Sequence, residues 1–186
     1  MRPELTAALR DHAAATEGWC ALVRETSGAL ANWRPDPDRW SVAQCLEHVA
    51  IVTEAVLPAL ERAVAGARAR GTVADGPFRY GPLARWFLAS QAPAPRRGLR
   101  TVGRYRPSAA PVDLAAVAAR FGKLQVALGA VMEAADGVDL ARVQVPSPAL
   151  PLLRLPVGIW FQALPQHTLR HLEQARRVHD DATRRS

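Results

Sequence analysis

Four long stretches of this sequence repeat their apolar residues every three or four positions, and prolines crowd the segments between them. A chain with that rhythm buries its apolar faces by packing helix on helix. The stretches are residues 3–31, 41–70, 111–135 and 157–181. In the first, Leu5, Ala8, Leu9, His12, Trp19, Leu22 and Val23 make the stripe; in the third, Leu114, Val117, Phe121, Leu124, Leu128 and Val131 do. Apolar residues are 49% of the chain, and Ala and Leu outweigh the β-branched types, which favours helix over sheet. The expectation is an all-α protein, a four-helix bundle with long crossover connections, forming a single domain over residues 1–186.

Local signals set the helix ends. Pro3 suits an early helical position. Residues 32–39 read as a loop, because Pro35 and Pro37 with their flanking aspartates break helices. Ser41 followed by Gln44 forms a capping box, with Trp40 and Cys45 placed as a hydrophobic staple. Pro58 predicts a kink or short break near Val56 and Leu57, and Pro165 predicts one in the last helix. Within the long connection 71–110, residues 82–90 form a short helix whose Leu83, Trp86 and Phe87 would cap an open end of the core. A connection of that length covers a site or crosses the bundle. Asp113 falls in the first turn of the third helix, and residues 138–156, with Pro146, Pro148, Pro151 and Pro156, make a second proline-rich connection.

The stretch that carries chemistry is residues 161–178. His167 and His171 lie four apart, so they project from one helix face on successive turns. That is metal-ligand spacing, and the third candidate is His48, on the face shared by Gln44, Cys45, Val52 and Ala55. Neutral imidazoles suit Zn, Ni or Fe, and three of them leave a coordination position open for water or substrate. The other reading of all three is a set of hydrogen-bonded core histidines, as is expected for His12, which has no chelating partner three or four positions away. Cys45 lies one turn before His48; it either approaches the metal or packs as a small buried residue.

WSVAQCLEHV from Trp40 and HTLRHLEQARRV from His167 resemble the DinB/YfiT-like superfamily of four-helix bundle proteins. Its pattern is a Trp-Ser helix start with a histidine seven residues after the Ser, and a C-terminal H-x3-H followed by glutamine. Ser41 to His48 keeps that spacing, and His167, Arg170, His171 and Gln174 keep the second block. The resemblance implies a divalent metal, Zn, Ni or Fe, on His48, His167 and His171. It implies a metal-dependent transferase that adds a low-molecular-weight thiol to an electrophile, or a hydrolase. The catalytic nucleophile would be metal-bound water or thiolate, the substrate a small molecule, and a homodimer through an apolar helix face would fit. The alternative is a helical bundle that binds a metal or small molecule without turnover. Gln174, Glu47 and Gln44 are candidates to support the ligands from behind. Gln44 stands where the family often has an acidic residue, and Glu47 adjoins His48. Gln174 would bond a ligand or metal-bound water, or else lie in solvent. The family's name refers to induction by DNA damage, a stress-response pattern of expression and not a nucleic-acid chemistry.

Charge and termini bound the rest. The net charge of +7 is nearly all arginine, Lys123 being the one lysine. The arginines are scattered, in clusters no longer than Arg96 with Arg97, Arg176 with Arg177 and Arg184 with Arg185, so no nucleic-acid partner is expected. Loop arginines such as Arg104 are read as solvated, the other reading being that they receive the carboxylates of an anionic thiol. Uninterrupted apolar runs of about 18 residues are missing, so no membrane span is expected. Charges sit where a signal peptide would be apolar, and Cys20 and Cys45 form no CxxC pair; both fit a cytoplasmic protein.

Overall fold

Pro3 opens α1 (Pro3–Glu25), where its missing N–H is one the first turn would leave unpaired in any case. The expected first helix runs on to residue 31, but it is broken. Thr26 takes an extended backbone and turns its hydroxyl onto the Leu22 carbonyl at 2.7 Å, and a separate turn, α2 (Gly28–Ala31), follows. A hydroxyl that can bond the preceding turn competes with helix propagation, and no periodicity argument registers it. The structure, a computed structural model, describes residues 1–93, 103–150 and 152–185. Arg96, Arg97 and Pro151 therefore lie outside the described residues.

The second long helix, α3 (Val42–Ala69), starts as its residues dictate. The Ser41 hydroxyl accepts from the Gln44 N–H at 3.2 Å, and the Gln44 side chain accepts from the Ser41 N–H at 3.0 Å. The break expected at Pro58 is absent, and the helix is continuous through it. Pro58 deprives only the Glu54 carbonyl of its partner, and Glu54 is exposed, so water can supply the bond. Likewise α6 (Val157–Thr183) passes unbroken through Pro165, held by buried neighbours from Trp160 to Thr168. In α5 (Leu114–Ala134), Asp113 is the N-cap itself and not a first-turn residue. It accepts from the N–H groups of Ala115 and Ala116.

The four long helices pack in the cyclic order α1, α5, α3, α6, so that α3 and α6 are lateral neighbours and α1 and α3 are diagonal. Among the described residues the mostly helical fold carries one small addition. The second connection forms an antiparallel hairpin, β1 (Gln144–Pro146) with β2 (Arg154–Pro156), pairing Val145 with Leu155. Three-residue strands bounded by prolines give no readable alternation, which is why the sequence shows only a loop there. The hairpin delivers the chain into α6, whose first N–H groups bond back to it: Val157 to the Val143 carbonyl at 2.8 Å and Gly158 to the Leu140 carbonyl at 3.1 Å. In the first connection, α4 (Pro82–Gln91) packs on α6. Only Phe87 of its aromatic residues turns inward, onto Trp160 at 5.3 Å; Leu83 and Trp86 stay exposed.

Two apolar clusters fill the bundle. One gathers Leu5, Leu60, Leu128, Met132, Ile159 and Phe161, the other Trp19, Val42, Leu46, Phe121 and Leu172. Helix α5 is long and apolar enough, by length and composition, to cross a membrane. It also carries Arg120 and Lys123 and packs on α1 and α3 through Val117, Phe121, Leu128 and Met132.

Gly158 is the tightest point of this arrangement, since a Cβ there would overlap the Tyr80 hydroxyl and press on Leu140. Tyr80 in turn donates to Glu4 of α1. Gly158→Ala should lower the denaturant midpoint by about 1–3 kcal/mol of stability, as overpacking does, whereas Gly28→Ala, which meets open space, should not.

Candidate metal centre

Because α3 and α6 are neighbours, the face of α3 that begins at its cap looks across at the middle of α6. His48 sits two turns in from Ser41, and His167 and His171 stack on successive turns opposite. The three rings converge, with centroids 5.1 Å apart for His48 and His167 and 4.6 Å for each of the other two pairs. One ring nitrogen from each lies within 4.8 Å of the others, so the group could hold a metal ion.

Backbone and side-chain acceptors orient two of the rings. His48 Nδ1 lies 2.6 Å from the Tyr105 carbonyl, and a carbonyl can only accept, so Nδ1 carries the proton and Nε2 presents a lone pair. Tyr105 comes from a 3₁₀ turn (Gly103–Tyr105) at the end of the first connection. His171 Nδ1 lies 3.1 Å from Gln174 Oε1, which fixes the same tautomer. The third ring is different. His167 reaches the cavity wall, yet its Nε2 is buried and has no hydrogen-bond partner among the described residues. A buried polar atom left alone costs about 1–3 kcal/mol. A shared cation facing three lone pairs would relieve that cost, so the donor set fits a metal.

Burial keeps the rings neutral. It pushes His171 down to about 3, aided by the nearby His48 and Arg170 and opposed by the Gln174 bond. His167 is held well below the usual histidine range by burial, then by the two other imidazoles and Arg170. His48 is lowered by burial against the opposing pull of Tyr105. Neutral imidazole is the form that ligates metals.

Trp40 packs over His48 at 4.9 Å and stacks on His171 at 5.8 Å, so it covers the rings besides leading the chain into α3. On the other side the rings line a cavity of about 160 Å³ walled by Val52, Phe87, Trp160 and Leu164. Ser147, Pro148 and Ala149 of the hairpin segment also line it. Arg170, one residue before His171, reaches the same cavity and donates to the Ser90 carbonyl at 3.0 Å. Sequence periodicity places Trp160 and Arg170 on α6 but has no signal for their facing a cavity that α4 and the hairpin segment create.

The remaining candidates stand elsewhere. Gln44 spends its side chain on the cap and on the Ser108 carbonyl at 2.7 Å, and Glu47 accepts from the Ser108 N–H at 2.7 Å. Both tie α3 to the connection that carries Tyr105, and neither bonds a histidine ring. Gln174 is bonded to His171 and so is not simply in solvent. Cys45 is fully buried in the second apolar cluster, where burial pushes its thiol up to about 12. Arg104 donates to the Ala149 carbonyl and lies over the Tyr105 ring, where it braces the segment instead of standing free in solvent. His12, also neutral through burial, meets the Gln125 carbonyl at 3.0 Å as a structural residue.

The depressed pKa values make the metal-free fold sensitive to acid. Unfolded histidine titrates near 6.5, so below that pH the unfolded chain binds more protons than the folded one. Stability is full above 6.5 and is lost progressively as pH falls toward the folded values, about 3 for His171. In chelator, the denaturant midpoint should fall from pH 6.5 to pH 4.5, with His171 contributing on the order of 1 kcal/mol per pH unit and His48 and His167 acting in the same direction. His171→Asn should flatten that dependence.

A family model described as the DinB superfamily matches residues 6–175, reaching into all four long helices and taking in His48, His167 and His171. No curated protein and no solved structure matches the chain. The match covers most of the sequence and agrees with the helix order and the histidine cluster, so the chain belongs to the DinB superfamily.

Proposed function

We propose that the protein is a metal-dependent enzyme of transferase or hydrolase type, which holds one divalent cation, Zn, Ni or Fe, on His48, His167 and His171. The observation that carries this reading is the convergence of three neutral imidazoles, one with an orphaned nitrogen, at the wall of an apolar cavity. A divalent cation on three imidazoles supplies Lewis acidity that favours the deprotonated form of a low-molecular-weight thiol or of water at neutral pH. The chain's own residues do the rest. The Tyr105 carbonyl and Gln174 keep the lone pairs of His48 and His171 aimed inward. Trp40 covers the rings from behind, and Phe87, Trp160 and Leu164 give the cavity on the other side an apolar wall. A small electrophile entering that cavity would lie beside the histidines.

Elemental analysis of untagged protein should find about one divalent metal per chain, lost in both His48→Ala and His167→Ala. Loss in both variants requires two segments far apart in sequence to share one ion. The loaded protein should then turn over small electrophiles with an added thiol or with water. Stoichiometric metal without any turnover would favour a binding protein over an enzyme. Protein that takes up no Zn, Ni, Fe or Mn after reconstitution would end the metal reading.

A further inference from the structure

The cavity has an uneven charge inventory. Its walls bring three histidines and Arg170, and among the described residues no aspartate or glutamate lines it. Among the described residues no carboxylate pairs with Arg170, and its one hydrogen bond, to the Ser90 carbonyl at the end of α4, uses a single N–H of a group that has five. Val52, Phe87, Trp160 and Leu164 make the apolar part of the wall, and Gln91, Tyr105 and Ser147 add neutral polar groups but no negative charge. Arg170 is thus a partly buried guanidinium on that wall with donors that the Ser90 carbonyl does not use. An anion answers that arrangement best, because bonds from a guanidinium to a carboxylate are shorter and stronger than those to neutral acceptors.

We propose that Arg170 anchors the anionic end of the ligand, so that the molecule taken into this cavity is a small, largely apolar carboxylate. The bulk of such a ligand would pack between Phe87, Trp160 and Leu164, and its carboxylate would meet the free face of the guanidinium. The position of Arg170 beside His171 sets the charged end near the histidines and the apolar end along α4. The inference rests on the proposed function only in taking the cavity as the substrate site. It needs no metal, and its test can be run without one.

Benzoate and benzamide have nearly the same shape and differ in charge, so their affinities isolate the contribution of the anion. Calorimetric titration of chelated wild-type protein should show benzoate binding about tenfold more tightly than benzamide. Arg170→Gln should abolish that preference while leaving benzamide affinity unchanged, and Arg170→Lys should retain part of it. A purely structural role for Arg170 at the end of α4 would weaken both probes together and lower the unfolding midpoint. Equal affinities in the wild type, no binding of either probe, or a preference that survives in Arg170→Gln would overturn the assignment. Metal content is read on the same samples. A benzoate preference in protein that binds no metal would leave Arg170 as an anion anchor and remove the enzyme reading, whereas metal without the preference would do the reverse.

Discussion

Everything distinctive in this bundle depends on the lateral packing of α3 against α6. Imidazoles are costly to bury, and each must be repaid by a partner. Here two are satisfied on one side by Tyr105 and Gln174 and turn their other nitrogens toward a third. Had α3 and α6 been diagonal, His48 would have faced a different helix and the same residues would have been isolated buried polar groups. The cyclic order of the helices is thus what converts three burdens into one site.

The cost is distributed along a layer. Between the two apolar clusters every long helix places a polar residue inward: His12 on α1, Thr53 on α3, Gln125 on α5, and Thr168 on α6. Thr53 and Thr168 bond within their own helices, to the Val49 and Leu164 carbonyls, while His12 reaches across from α1 to the Gln125 carbonyl of α5. The bond from His12 to Gln125 ties the register of α1 to that of α5, since sliding either helix by one turn would break it. Imidazoles without carboxylates also bias the metal question, because hard cations such as Mg and Ca prefer oxygen donors and the borderline ions Zn, Ni and Fe accept nitrogen.

Much of this was legible in the sequence, for identifiable reasons. Helix starts declared themselves where a side chain bonds its own backbone, as at Ser41 with Gln44, because that chemistry is local. The four-residue spacing of His167 and His171 and the distance from Ser41 to His48 located the cluster, since helical geometry is regular. What failed was local chemistry outweighed by context. Pro58 and Pro165 looked like breaks, but solvent can bond the carbonyl freed before Pro58, and close packing on either side of Pro165 holds α6 continuous in spite of the lost bond. Thr26 ended a helix that the apolar pattern carried further. The roles of Gln44, Glu47, Phe87 and Arg170 depend on where the connections fold back, and that is a three-dimensional fact with no periodic trace.

The two halves of the histidine cluster stand at opposite reaches of the chain, with α4, α5 and the hairpin between them. During synthesis His48 emerges first and waits, since its partners lie on α6, which follows α5 and the hairpin. A cation cannot be captured by all three until α6 has docked, and docking requires closing the longest loop in the bundle, the slowest kind of contact to form. Loading of such a centre would therefore report completed folding: a half-folded chain has one histidine to offer, or two, and would bind an ion correspondingly weakly.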